Sequence, residues 1–98
     1  MAIEPQRPNT VLVGKKEPIQ YVMAIMKIFE DGFEEVVVKA RGRNVCKAIE
    51  AVEMVKNMFV KDVNIENVKI YSEQLRDDKG KERNVTAIEI LLRKGSKG

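Results

Sequence analysis

The 98-residue chain has no histidine, no tryptophan and a single cysteine, Cys46. Without histidine there is no Ser-His-Asp or Cys-His nucleophile and no imidazole metal ligand, and one cysteine cannot close an internal disulfide. The apolar runs are short: Ile90-Leu91-Leu92 falls far below the ~20 residues needed to cross a bilayer, so no membrane association is expected. The single cysteine and the lack of a signal-peptide pattern lead to the expectation of a cytoplasmic protein. Carboxylates do not converge either. Asp77-Asp78 reads as a turn, and Glu34-Glu35 opens a strand on which neighbours point to opposite faces. With no acid-base pair and no nucleophile, an enzyme is not expected, nor a cofactor, a metal or a small-molecule substrate.

Hydrophobic residues make up 44% of the chain and charged residues 34%, with Lys and Arg at 18 against 15 Asp and Glu. Ninety-eight residues suit one domain with one core, expected over residues 10–94, between a flexible N-terminal arm (1–9, with Pro5 and Pro8) and a flexible basic tail (95–98). The net charge of +3 is small, but its distribution is uneven. Positive residues gather at Lys15-Lys16, from Lys39 through Arg41, Arg43 and Lys47, at Arg76, Lys79, Lys81 and Arg83, and at the tail with Arg93, Lys94 and Lys97. Clustering of this kind builds a surface that faces phosphate, although basic residues also serve plain solubility.

Periodicity predicts the order βαβαββ. Thr10-Val11-Leu12-Val13 reads as a short buried strand ending at Gly14. Pro18 suits a first helical position, followed by Ile19, Val22, Met23, Met26 and Phe29 at helical spacing, and Asp31-Gly32 closes that helix. Glu35 to Lys39 is the second strand, whose unbroken valines predict cover on both faces. A second helix is expected from about Asn44 to Phe59, with its main stripe at Val45, Ala48, Ile49, Val52, Val55 and Phe59. Ala51, Met54 and Met58 add a second apolar line that fits a partner, or core filling. Two strands follow, Asn64 to about Leu75 and about Glu82 to Lys94, joined by turn chemistry at Asp77 to Lys81. The resulting fold class is α/β (α+β): a two-layer sandwich of two helices on a four-stranded mixed sheet, with a long C-terminal β-hairpin arm.

Three segments have the chemistry of a polyanion site. Lys15-Lys16 follows a strand and Gly14 and precedes a helix, a place where two ammonium groups suit a phosphodiester backbone, while the spacing of a nucleotide P-loop is absent. Arg41-Gly42-Arg43-Asn44 occupies the equivalent strand-to-helix turn, with Lys47 just inside the helix. Its glycine permits close approach, and the coming helix start offers free N–H groups to an anion. Both turns should lie on one edge of the sheet and form one patch. The hairpin tip, with Arg76, Lys79, Lys81 and Arg83, is narrow enough for a duplex groove and has no aromatic residue to intercalate. Cys46 reads as a small packing residue.

Val11-Leu12-Val13-Gly14-Lys15-Lys16, Tyr21-Val22, Val38-Lys39-Ala40-Arg41-Gly42-Arg43, Lys47-Ala48 and Thr86-Ala87-Ile88-Glu89-Ile90 together resemble the archaeal Alba family, in matching order from about Asn9 to Lys94. The resemblance implies a sequence-tolerant protein that binds double-stranded DNA, and also RNA, coats and compacts the chromosome, and resides with it in the nucleoid. It further implies homodimers whose arms follow the minor groove while the lysine and arginine turns meet the backbone. Lys15 matches the family's acetylated lysine, and Met54, Met58 and Phe59 match its surface for higher-order assembly. The chain departs from the family pattern at Glu17, where proline often follows the lysine pair, and at Asn84, where arginine is usual. The alternatives at this stage are an RNA-binding protein or ribonucleoprotein subunit using the same surface, and a structural assembly module without nucleic acid.

Overall fold

The computed structural model describes residues 8–59 and 62–95. In chain order these form β1 (Thr10–Leu12), α1 (Pro18–Glu30), β2 (Glu35–Arg41), α2 (Asn44–Met54), a π-helical turn (Val55–Phe59), β3 (Val63–Arg76) and β4 (Glu82–Lys94). Most of the N-terminal arm, most of the basic tail and the Phe59 side chain lie outside the described residues.

Helix α1 begins at Pro18, whose ring fixes a helical φ where no N–H partner is needed. It ends in a Schellman motif: Gly32 takes φ +103°, its N–H donates to the Phe29 carbonyl at 3.0 Å, and that of Phe33 donates to Ile28 at 3.4 Å. Its buried face is Tyr21, Val22, Ile25 and Phe29. The sheet runs β1-β2-β4-β3, with β1 and β2 parallel and the other pairs antiparallel. Val36, Val38 and Ala40 of β2 stand opposite Leu92, Ile90 and Ile88 of β4, and all six pack with the helices in one core. Fully burying each Val, Ile or Leu contributes about 1.5–3 kcal/mol. Two helices on one face of a four-stranded mixed sheet is the expected architecture.

Several local expectations are corrected. β1 is an edge strand and not a buried one: Val11 is in the core but Leu12 is half-exposed. The valines of β2 are covered on the helix face only, because Val37 lies on the open face and is partly exposed. α2 does not continue regularly to Phe59. Its last turn widens to π-helical geometry from Val55, which rotates the faces that follow. Ala48, Ala51, Val52 and Val55 form the buried stripe, and Ile49 is turned out, 48% exposed. Of the supposed partner line, Ala51 is fully buried and Met54 packs against the core, leaving Met58 exposed. Cys46 is exposed and not packed.

β4 pairs with β2 only as far as Ala87, opposite Arg41. Beyond it, Glu82 to Thr86 pair with Arg76 to Ser72 alone, so the hairpin leaves the body as a two-stranded ribbon. At ~3.4 Å per residue that overhang adds roughly 17 Å before the turn, within a molecule 50 Å in its longest dimension.

Candidate nucleic-acid interface

Because β1 and β2 are parallel, the turns that leave their C-terminal ends emerge on the same edge of the sheet. The Gly14-Lys15-Lys16 and Arg41-Gly42-Arg43 turns are therefore neighbours, and side chains fasten them. Tyr21, in the first turns of α1, buries its ring and accepts hydrogen bonds at its hydroxyl from the N–H of Gly14 (2.8 Å) and of Lys16 (3.1 Å). Lys47, in the first turn of α2, donates from Nζ to the Gly14 carbonyl at 2.7 Å. One peptide segment is thus held from both helices.

The second turn is tied to the arm. Gly42 takes φ +54°, in the left-handed region that suits glycine, and its N–H donates to the Thr86 carbonyl at 2.7 Å. A Cβ placed on Gly42 would lie 3.5 Å from Cγ1 of Val85. The turn sits directly on the arm's root. The arm projects past the edge that carries both basic turns, since Arg41 faces the last β4 residue paired to β2.

Neither helix has a side-chain cap bond; α2 has Arg43 at its N-cap and no acidic residue in its first turn, which leaves its N–H groups suited to an anion, whereas α1 starts with Glu17 at its N-cap and Pro18. Lys15, Lys16 and Arg43 are exposed and have no ion-pair partner among the described residues. Asn44 opens α2 beside them. Arg41 differs: its Nε contacts Oε1 of Glu73 at 2.7 Å. Burial, reinforced by the Glu73 and Glu89 carboxylates and opposed by Arg41, raises the pKa of the neighbouring Tyr71 phenol above its ordinary value.

At the distal end Asp77 shapes the turn, its Oδ1 accepting from the N–H of Lys79 and of Lys81, both at 2.9 Å, with Gly80 at φ +81°. Lys79, Lys81 and Arg83 are exposed and lack ion-pair partners among the described residues. Arg76 is paired, with Nη2 donating to Glu82 at 2.6 Å, and Glu82 also accepts from Gln74. Arg83 stands opposite Leu75 and Asn84 opposite Gln74, so these two point to opposite faces of the ribbon. Arg93 does not add to the tail's charge, being engaged by Glu35 and Glu66.

The Alba profile matches residues 9–72, which include both basic turns and end on β3 before the hairpin turn. The chain belongs to the Alba family. Relatives include the DNA/RNA-binding protein Alba of Methanocella arvoryzae, 40% identical over 88% of this chain and 90% of that protein, and the DNA/RNA-binding protein Alba 1 of Archaeoglobus fulgidus, 42% identical over 88% and 96%. Among solved structures, Alba from Thermoplasma volcanium superposes with a TM-score of 0.82 at 33% identity, covering 87% of this chain and 99% of that one. ALBA1 from Trypanosoma brucei gives 0.76 at 25% identity, covering 92% and 72%.

Sequence reasoning missed two features of this Alba chain. One is the positioning role of Tyr21, which enters that reasoning only as part of the Tyr21-Val22 resemblance. The other is an apolar groove of about 440 Å³ between α2 and the outer strands, lined by Ile49, Val52, Ile65, Val68, Ile70 and Ile88 among others. Val68 is 48% exposed and Ile70 is 70% exposed, because among the described residues no helix covers this part of β3. Among the described residues no helix is long and apolar enough to cross a membrane.

Proposed function

We propose that this chain is a homodimeric, sequence-tolerant binder of double-stranded DNA that coats and compacts chromosomal DNA in the nucleoid. The observation that carries this reading is that α2, leaving the second basic turn, holds the first through Lys47, while Gly42 ties the second turn to the root of a cationic ribbon. It is supported by the relatives' own description as DNA/RNA-binding proteins. Lys15, Lys16 and Arg43 are the free charges of the patch, with Gly42, Asn44 and Lys47 shaping it. Lys79, Lys81 and Arg83 are those of the arm, while Arg41 and Arg76 belong to the same surface but are each held by an acidic partner, Glu73 and Glu82.

The binding domain spans residues 10–94, and a second copy fills the groove over β3. A dimer places two arms and two patches along one duplex, a span that backbone contacts read without sequence. Acetylation of Lys15 removes a cation from the patch and weakens binding. Met54, Met58 and Phe59 remain the proposed surface for assembly beyond the dimer, and Met58 is 66% exposed.

Binding driven by phosphate neutralisation releases counterions. For about four to eight phosphates per dimer, log Kd against log salt has a slope of magnitude roughly 4 to 7. A salt titration comparing duplex DNA, single strands and structured RNA tests this. A steep slope with duplex DNA preferred supports the reading. Preference for structured RNA at every salt concentration replaces it with the ribonucleoprotein role, and a flat response removes nucleic acid altogether in favour of an assembly module.

A further inference from the structure

The two arginines of the Arg41-Gly42-Arg43 turn are not equivalent. Arg43 is exposed and has no ion-pair partner among the described residues. Arg41 starts on β2, faces Ala87 of β4, and extends across β4 to reach Glu73 on β3, two residues beyond Tyr71. Two strand spacings separate the two residues' strands, about 10 Å, a span that the arginine and glutamate side chains close between them. The small Ala87 leaves the path clear, and Ala87 is itself only 1% exposed although it lies on the open face. The bond uses Nε, at 2.7 Å with both side chains partly exposed. As a unit, the pair is electrically neutral.

We propose that Glu73 is an affinity-setting residue: by neutralising Arg41 at the arm's root it withholds one cation per protomer from the polyanion, so that Arg43 alone supplies the turn's charge. The inference rests on the nucleic-acid reading above and adds to it a residue that governs how strongly the patch binds. The physical basis is exchange. An exposed ion pair is weak enough to be exchanged, and transferring Arg41 from Glu73 to a phosphate leaves that carboxylate unpaired beside the negative duplex. The transfer gains one contact and creates one repulsion. Without the Glu73 charge, only the gain remains.

Glu73→Gln keeps the size and the hydrogen-bond acceptor and removes the charge. With duplex DNA from 50 to 300 mM salt, Glu73→Gln is expected to bind about three- to tenfold more tightly at the low-salt end, with a log–log slope steeper by about 0.9 per protomer. Removing any nearby acid raises the local potential, so two controls isolate the pairing. Glu89→Gln removes a carboxylate from the same open face, next to Tyr71 but outside the Arg41 pair, and is expected to leave the slope unchanged. In an Arg41→Gln background, Glu73→Gln is expected to lose its effect on the slope. Equal steepening by Glu89→Gln, or by Glu73→Gln with and without Arg41, overturns the inference. So does an unchanged Glu73→Gln slope while the parent binds duplex with the expected salt response. A parent chain that binds no duplex overturns the functional reading and the inference with it.

Discussion

The hydroxyl oxygen of Tyr21 lies 2.8 Å from the amide nitrogen of Gly14, and the same oxygen accepts from Lys16, so one phenol holds the backbone on which two lysines are mounted. Charge position in this patch thus depends on a residue with no charge. Tyr21→Phe removes the acceptor from two half-buried N–H groups, and a loss of about 1–2 kcal/mol in unfolding free energy is expected. Duplex affinity should fall a few-fold although no cation is lost. Urea unfolding and binding on the same preparation test this, and affinity equal to the parent's would show that the loop holds its shape unaided.

Lys15→Gln and Lys47→Gln each remove one cation from the same edge, but with different consequences. Lys15 is free, so its loss should lower the salt slope by about 0.9 per protomer and weaken all duplex sequences alike. Lys47 donates to the Gly14 carbonyl. Its loss should weaken binding through the loop with a smaller change in slope. Salt titrations of both variants on duplexes of contrasting sequence give the comparison.

Ile70 is largely exposed on a face that carries Val68 and Ile65 beside it. Ile70→Lys leaves the core of the protomer untouched and places a charge in the groove. The dimer should give way to monomer in sedimentation equilibrium, with the helical circular dichroism retained. A variant that remains dimeric would move the self-association surface elsewhere.

Gly42→Ala tests the turn's geometry. The added Cβ meets Val85 at an ordinary contact distance, so the penalty comes from the left-handed backbone, about 1–2 kcal/mol. Thermal unfolding should show the loss. Affinity should fall as well, because the same residue bonds to the arm's root.

Much of this arrangement is legible in the residues. Pro18 and Asp31-Gly32 bracket α1, and Asp77 to Lys81 mark the hairpin turn. Two strand-turn-helix segments in succession are enough to bring Lys15 and Arg43 to one edge. What cannot be read depends on phase and register. Ile65 and Val68 are three residues apart yet share a face, because the ladder slips between Ile65 and Asn67, and this breaks the alternation that marks an apolar strand face. The π-helical turn likewise shifts the helix faces after Met54, which one regular helix to Phe59 does not foresee, and Ile49, which the periodicity puts in the main stripe, is exposed and lines the groove. Arg41 and Glu73 are 32 positions apart, and only the β2-β4-β3 register makes them neighbours.

Past Thr86 the ribbon has two bare flanks, since among the described residues no third strand runs beside it on either side. Each flank exposes backbone groups that invite pairing with another extended chain. The charges crowding Arg76 to Arg83 guard both flanks by repulsion and hydration, so the groups that suit the arm to a polyanion also keep free molecules from sticking together strand to strand.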